Sequence, residues 1–532
     1  MWFTSLPGRS REAPRTTPAS SLSQKPPKGF WLISALLIAL FWSLAAFKHH
    51  LLHSTGWDLG IYDQVAWQMS QGLEPRSTLL GLHHMGNHGA WMFYAIAPLY
   101  WLAPSVHWLF LTQALGLIIT AWPLWHLSVQ AGLKPRERWL ICGLWWLQPV
   151  VFNVNLFDFH PETWAMPLLA LAIWANRAER RWLWRMALFA AMGCRDGLTL
   201  IVMGLALEQI LRRRWRWGAE ALLSGGGWLL LLAAGLYPIF NGGGGVAAVN
   251  RYNHLCEGGC EGVGPIIRSA LVDPVHLLGA LDWPGIVRYL LVLALPLAIT
   301  WRLRSLPMLA ATLPLLAANM LSSWSSQRDV LHQYSLPLAV VLVVASIDGL
   351  AGNRLQRQFW CFLWAALCWA GLTQSHTQAF FGRYLARADQ IQPLQEAIAK
   401  IPGDAEVLTY NHLIPQISHR QVVHGLFAGR VSRDSGVPER SLAPGIFNST
   451  ATGGVPLTAE QIAQKELDTV LLLRQNGRAG LRLGTLNPEE TTGLRPDVLS
   501  PGEITAVTIP WLQDFGWVCE EANHAFVICR KP

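Results

Sequence analysis

The chain has 532 residues, of which 52% are hydrophobic and only 14% charged. A soluble domain carries about 25% charged residues, so a cytosolic enzyme, a disordered chain and a secreted disulfide scaffold all fit poorly. The net charge of +8 is uneven: residues 376–532 hold 14 basic and 16 acidic side chains, net −2, and the rest carries +10. That excess sits in short loops and is no nucleic-acid footprint.

Taken in chain order, residues 1–29 are rich in Pro, Ser and Arg and read as a disordered cytosolic arm. The first apolar span follows at 30–47. Further apolar stretches lie at about 107–129, 139–157, 163–176, 182–195, 198–211, 219–240, 286–301, 306–321, 331–347 and 358–375. Of the 28 tryptophans 26 precede residue 376, as expected where indole rings mark water–lipid boundaries. The pattern predicts an α-helical polytopic membrane protein of about eleven spans. Residues 89–103 are too short to cross and read as an interfacial helix within a first outer loop, 48–106.

The arm and the connections 130–138, 177–185, 212–218, 302–305 and 350–357 carry 20 of the 27 basic residues of this region. Basic loops stay cytosolic, so the amino terminus is expected inside and the carboxyl tail outside. The outer loops and helix ends then hold nearly all the histidines and the acids of interest.

Asp58 and Asp63 follow the first span. An aspartate at a bilayer surface acts as general base toward a hydroxyl or holds a divalent cation such as Mg or Mn; the plainer reading is a helix cap and a solvated side chain. On one helix the two would diverge by about 140°, so a shared site needs a turn at Gly60. His84 and His88 have the i, i+4 spacing of paired metal ligands, although Gly86 weakens the helix. Asp58, Asp63, His84 and His88 are therefore the metal-ligating candidates. Asp158, His160 and Glu162 flank Pro161 at helix termini, where charge is costly unless used. Arg195-Asp196, and Arg328-Asp329 with His332, are structural pairs or phosphate grips.

Cys256 and Cys260, and Cys519 and Cys529, are candidate disulfides of an oxidising outer side. Cys142, Cys194, Cys361 and Cys368 read as packing. The tail, 376–532, predicts a small α/β domain: an amphipathic helix at 380–401, strands at 406–410, 421–424 and 469–473, a helix at 457–465 and a hairpin over 515–529. Asn411, His412, His419 and Arg420 read as ordinary loop polar residues.

The motifs WDLGIYDQVAW, HHMGNHGAWMFYAIAPLYWL, LFDFHPE, CRDG, YNHLIPQISHR and FGWV…HAFVICRK resemble a bacterial membrane-protein family, domain of unknown function 2079. The resemblance runs from about residue 30 to the end. Cys194-Arg195-Asp196 stands where that family more often has Lys-Glu-Asp, and Gly89-Ala90 where a Ser-Pro pair is usual. The family is similar to the GT-C glycosyltransferases, which take sugar from a polyprenyl-phosphate carrier at the outer membrane face. The resemblance implies a GT-C-like fold, with Asp58 or Asp63 as catalytic base or metal ligand, 89–103 as interfacial helix and Arg195 near carrier phosphate.

The expected architecture is a cytosolic arm (1–29), a transmembrane GT-C-like domain (30–375) and an extracytoplasmic α/β domain (376–532). The expected function is sugar transfer from a polyprenyl-phosphate-linked donor to an envelope glycan, lipid or protein at the bacterial plasma (inner) membrane. Catalytic candidates are Asp58, Asp63, Asp158, His160 and Glu162; substrate-binding candidates are His84, His88, Arg195, Asp196, Arg328 and His332. A lipid or solute transporter or flippase, and a non-catalytic envelope assembly protein, are the alternatives.

Overall fold

Leucine-, alanine- and tryptophan-rich stretches that cannot satisfy their backbone with water must do so within helices, and a helix lies over each of the eleven predicted stretches. The structure, a computed structural model, describes residues 24–240, 247–256, 259–260, 263–352, 358–373, 384–426, 447–448, 455–456, 467–473, 509, 512–513 and 516–532. Most of the amino-terminal arm, the glycine run 242–245 and the helix expected at 457–465 lie outside these residues.

Among the described residues five helices are long and apolar enough to cross a membrane: Lys28–His50, His107–Gln130, Pro135–Phe157, Trp215–Phe240 and Gln333–Leu350. The long helix Gln333–Leu350 and the shorter Glu162–Arg177 lie in the interior. Glu162–Arg177 has 16 residues and so spans about 24 Å, less than the roughly 30 Å of a hydrocarbon core. It is sheltered rather than lipid-facing, with Thr163, Ala165, Met166 and Ala170 fully buried. Small residues let the helices approach. A Cβ on Gly116 would sit 2.6 Å from the Thr163 carbonyl, and one on Gly204 would collide with the Ala311 carbonyl. Buried amides tie spans together. Asn153 Nδ2 donates to the Val330 and Leu372 carbonyls at 2.9 and 3.1 Å, and Asn155 Nδ2 to the Phe41 carbonyl at 2.9 Å. Such intramembrane bonds stabilise by about 0.6 kcal/mol each.

The chain alternates between the two ends of this bundle. At one end Arg177 and Arg212 both grip Asp348, at 2.8 and 2.7 Å, and Arg212 also holds Glu208. Arg214 meets Asn176 there at 2.7 Å. At the other end stand Lys48, Asp158, Glu162, Arg195 and His332. The connections 302–305 and 350–357 meet beside the first group, Arg304 donating to the Ala351 carbonyl at 2.9 Å just past the helix that carries Asp348, and the candidate residues fall with the second.

Residues 91–102 form the short helix expected at 89–103, as two turns of 3-10 helix (Trp91–Ile96) running into Ala97–Leu102. Phe93, Ile96 and Tyr100 are buried against Tyr62 and Val65, whereas Trp101 and Leu102 are exposed. One face packs on protein and the other is left for an apolar medium.

In the tail the strands Val423–Leu426, Val407–Tyr410, Thr469–Leu473, Phe526–Arg530 and Val518–Glu521 lie side by side in that order. The first three are parallel, Phe526–Arg530 runs antiparallel to them, and Val518–Glu521 runs antiparallel to Phe526–Arg530. The three predicted strands are thus present within two residues of their expected limits, and the hairpin runs from Val518 to Arg530. The amphipathic helix is shorter than the 380–401 stretch: Ile391–Ile398 follows a 3-10 segment, Leu385–Gln390. Leu394 and Ala397 seat it on the sheet.

Both candidate cysteine pairs are disulfides, Cys256–Cys260 and Cys519–Cys529. Cys519 and Cys529 sit directly opposite on neighbouring strands. Closing so short a loop stabilises by about 2–3 kcal/mol through the unfolded chain. A Cys519→Ser/Cys529→Ser double variant should expose 518–530 to hydrogen exchange while leaving protection of the helical bundle unchanged.

Candidate functional site

The helix ends at one end of the bundle enclose a cavity of about 700 Å³. Its wall draws on positions far apart in sequence: Lys48 and Asp58 from the first connection, Asp158 and His160 from the second, Arg195 from the third, and Arg251, Trp324 and His332 from the later ones. Tyr384, Arg387, Asn411 and His412 of the tail close it.

Asp58 is the most accessible of the cavity acids, its side chain 27% exposed against 2% for Asp158. It sits in a turn of π-helix, Gly56–Gly60, that runs without a break into Ile61–Ser70. Asn411 fixes that turn from the tail, its Oδ1 accepting from the Gly56 and Trp57 amides at 2.9 and 3.1 Å. His160 Nε2 lies 3.2 Å from Asp58 Oδ1, and its Nδ1 lies 3.3 Å from the Asp158 carbonyl. An ionised carboxylate only accepts, so Nε2 is the donor of the bond to Asp58. Burial pushes the Asp58 carboxyl up, but the His160 bond and the positive groups around it win, so its pKa lies below the ordinary value. The carboxylate is held ionised and pointed at the cavity.

Asp158 is neutralised. Lys48 Nζ donates to it at 3.0 Å, and the Thr55 amide and hydroxyl donate to its other oxygen at 3.0 and 3.2 Å. Burial and the neighbouring Asp58 outweigh Lys48, and its pKa is raised. Asp158 therefore orients Thr55 and Lys48 beside Asp58 and is not a second free base.

The remaining candidates separate. Arg195 lines the cavity with Glu162 as its buried ion-pair partner beneath. His88 lines it too, its Nδ1 3.2 Å from Asp196, which also accepts from Tyr237 at 2.8 Å. Burial and Arg195 lower the His88 pKa, while His88 and Arg195 hold Asp196 low against its burial. His332 lines the wall with Asp329 2.7 Å from its Nδ1. Arg328 does not line the cavity, being tied to Asp282 at 3.0 Å and to the Ser322 carbonyl.

The four metal-ligating candidates do not converge. Asp58 faces the cavity, and Asp63 faces the tail because the helix continues through Gly60 instead of turning there. His84 is buried against Phe93, its Nε2 3.1 Å from the Ala90 carbonyl, and burial lowers its pKa to about 4. His88 goes to Asp196. The 3-10 turn His84–Gly86 breaks the helical spacing that would have aligned the two imidazoles. Among the described residues no three His, Cys, Asp or Glu side chains gather as a metal site.

Asp63 has a different task. It is 1% exposed and accepts from Tyr100 and Ser418 hydroxyls, each at 2.5 Å, with His419 Nε2 at 3.1 Å. Gln64 donates to the Gln421 carbonyl at 3.1 Å, and Thr78 exchanges bonds with Val423 at 2.7 and 3.0 Å. This polar seam docks the tail on the first loop. Its apolar counterpart places Leu52, Ile61 and Leu79 in one core with Leu408, Ile414 and Val423. The residues read as ordinary loop polar groups thus divide: Asn411 and His412 line the cavity, and His419 joins Asp63.

A family model described as a predicted membrane protein, domain of unknown function 2079 (DUF2079), matches residues 48–437. The chain belongs to this DUF2079 family. No curated protein matches it. The matched segment of this DUF2079 protein contains every residue that lines the cavity, from Lys48 to His412. It begins where the first long helix ends and takes in the tail strands at 407–410 and 423–426 but not those at 469–473, 518–521 and 526–530. In this DUF2079 chain the cavity, the docking seam and the family match therefore coincide.

Proposed function

We propose that this protein is a GT-C-like glycosyltransferase that moves a sugar from a polyprenyl-phosphate carrier to a hydroxyl of an envelope glycan, lipid or protein. The observation that carries the reading is Asp58: an ionised carboxylate, oriented by His160, on the wall of a cavity that also presents several cations. The alternation of the chain between the bundle ends supports eleven crossings with the cavity and the tail at the outer face. The cavity's place at a bundle end, beside the short amphipathic helix 91–102, suits a carrier whose headgroup lies at the interface and favours transfer over transport through the midplane.

In the transfer step the acceptor oxygen attacks the anomeric carbon, Asp58 takes the hydroxyl proton, and the bond from that carbon to the phosphate oxygen breaks. The electron pair leaves with polyprenyl phosphate, and the configuration inverts. A positioned base of this kind contributes about 10²–10⁴-fold. A divalent cation is no part of this step as drawn.

The direct test is the protein reconstituted in liposomes with a radiolabelled polyprenyl-phosphate hexose and an envelope extract as acceptor. Protein-dependent release of polyprenyl phosphate with label on a hydroxyl supports the reading. Carrier that stays intact in every acceptor mixture refutes it. His160→Phe should retain ring packing on Phe157, 5.4 Å away, but remove the bond that opposes burial at Asp58. The acid limb of the transfer rate is then expected to move to higher pH, because the carboxyl protonates earlier on acidification.

A further inference from the structure

Two arginines share one ring in this cavity: the guanidinium carbons of Arg195 and Arg251 lie 5.5 and 5.3 Å from the centre of Tyr334. Their charges differ in availability. Arg195 is neutralised by Glu162. Arg251 has no carboxylate partner among the described residues; it rests on Trp324, 4.2 Å from the ring centre. A half-buried cation stacked on aromatic faces keeps its in-plane N–H donors free for an anion. It is also held in place. The Arg251 carbonyl accepts from the Ser323 amide and hydroxyl at 2.8 and 2.9 Å, and the next residue, Tyr252, donates to the Ala318 carbonyl at 3.2 Å. The helix that carries it, Ala247–Leu255, leads directly into the Cys256–Cys260 disulfide. Four cations (Lys48, Arg195, Arg251 and Arg387) and two carboxylates (Asp58 and Asp158) line the cavity, and with Glu162 counted behind Arg195 the balance is still positive, which suits an anionic guest.

We infer that Arg251, stacked on Trp324 and Tyr334, is the phosphate-binding residue of this cavity and that its ligand is a phosphate monoester or diester. Arg195, already paired, acts beside it through Tyr334. The inference deepens the carrier reading above and rests on it for the identity of the ester. The anion site itself is tested without any sugar.

The measurement is equilibrium binding of radiolabelled farnesyl phosphate to the full-length protein in nanodiscs, with farnesol and inorganic phosphate as competitors. Arg251→Ala is expected to weaken farnesyl phosphate by about 10- to 100-fold, the loss of one charge-assisted contact, and Arg251→Lys to recover only part. Competition by inorganic phosphate would identify the anion alone as the ligand. Its failure to compete would assign the site to a lipid-borne phosphate. Trp324→Leu, which keeps the charge and removes the ring beneath it, is expected to weaken binding in the same direction and serves if Arg251→Ala fails to fold. Unchanged affinity in Arg251→Ala, or in Trp324→Leu where only that variant folds, overturns the inference, as does farnesol binding as tightly as its phosphate. Phosphate binding that depends on Arg251 in a protein that never transfers sugar would leave the anion site standing and remove the transferase reading.

Discussion

Asp58→Asn is expected to lower the transfer rate by about 10²–10⁴-fold with the fold intact. The amide matches the carboxylate in size and its oxygen still accepts from His160 Nε2, now 3.2 Å from Oδ1. It cannot take a proton from an acceptor hydroxyl. Because the Asp58 side chain is partly exposed to the cavity rather than sealed in protein, the exchange leaves no buried donor stranded and thermal stability should change little. The assay is the initial rate of polyprenyl phosphate release at saturating carrier. A variant within threefold of the parent rate would remove Asp58 from the role of base.

Asp63→Ala is expected to act on structure. It strands the buried Tyr100 and Ser418 hydroxyls and takes the ion-pair partner from the partly exposed His419 ring. Leaving a buried hydroxyl without its acceptor costs about 1–3 kcal/mol, and two such losses are enough to loosen the tail from the first loop. Residues 405–426 should gain hydrogen exchange, and transfer should fall too, because Asn411, His412, Tyr384 and Arg387 line the cavity from the tail. Asp58→Asn should leave that protection unchanged, which separates the two aspartates by experiment. Equal protection of 405–426 in the Asp63 variant and the parent would remove the docking role.

The same seam sets a pH window. Burial pushes the Asp63 carboxyl up, but His419, Ser418 and Tyr100 together hold it below its ordinary value. Its contribution is present above the ordinary carboxyl pKa of about 3.9 and is lost as pH falls through the lower, folded value. Burial lowers His419 while the charge and bond of Asp63 raise it further, so its folded pKa is raised. That contribution is complete below about 6.5 and fades as pH rises through the raised value. Tail protection should therefore be greatest between about pH 4 and 6.5 and weaken on both sides.

Several site residues were legible in the sequence. Asp58, His88, Asp158, His160, Arg195 and His332 stood out as polar groups at the outer ends of apolar stretches, and all six line the cavity. Asp63, His84, Glu162, Asp196 and Arg328 stood out for the same reason and do not line it. Charge at a helix end is equally costly whether it serves a ligand or a neighbour, and local spacing does not distinguish the two. Nothing in the sequence singled out Arg251, Trp324 or Arg387, and Asn411 and His412 read there as ordinary loop polar residues although both line the cavity. Arg251 was one of seven outer basic residues with nothing in its own segment to select it, and Asn411 and His412 belong to a tail whose docking leaves no local signature.

Apolar length, tryptophan placement and basic loops, all properties of contiguous segments, by themselves determined that this is a membrane protein of many helices and which connections share an end of the bundle. Short apolar runs, two of them buried at every position in the structure, likewise located the tail strands. Tertiary structure alone decided which aspartate meets the cavity, because that depends on the helix continuing through Gly60 and on partners far along the chain: His160 for Asp58, and Ser418 and His419 for Asp63. It also decided which arginine keeps its charge available. Glu162 lies 33 residues from Arg195, and the aromatic rings under Arg251 come from a separate connection. Solvation energy is written locally in the sequence; the pairing of buried charges is settled only when distant segments pack.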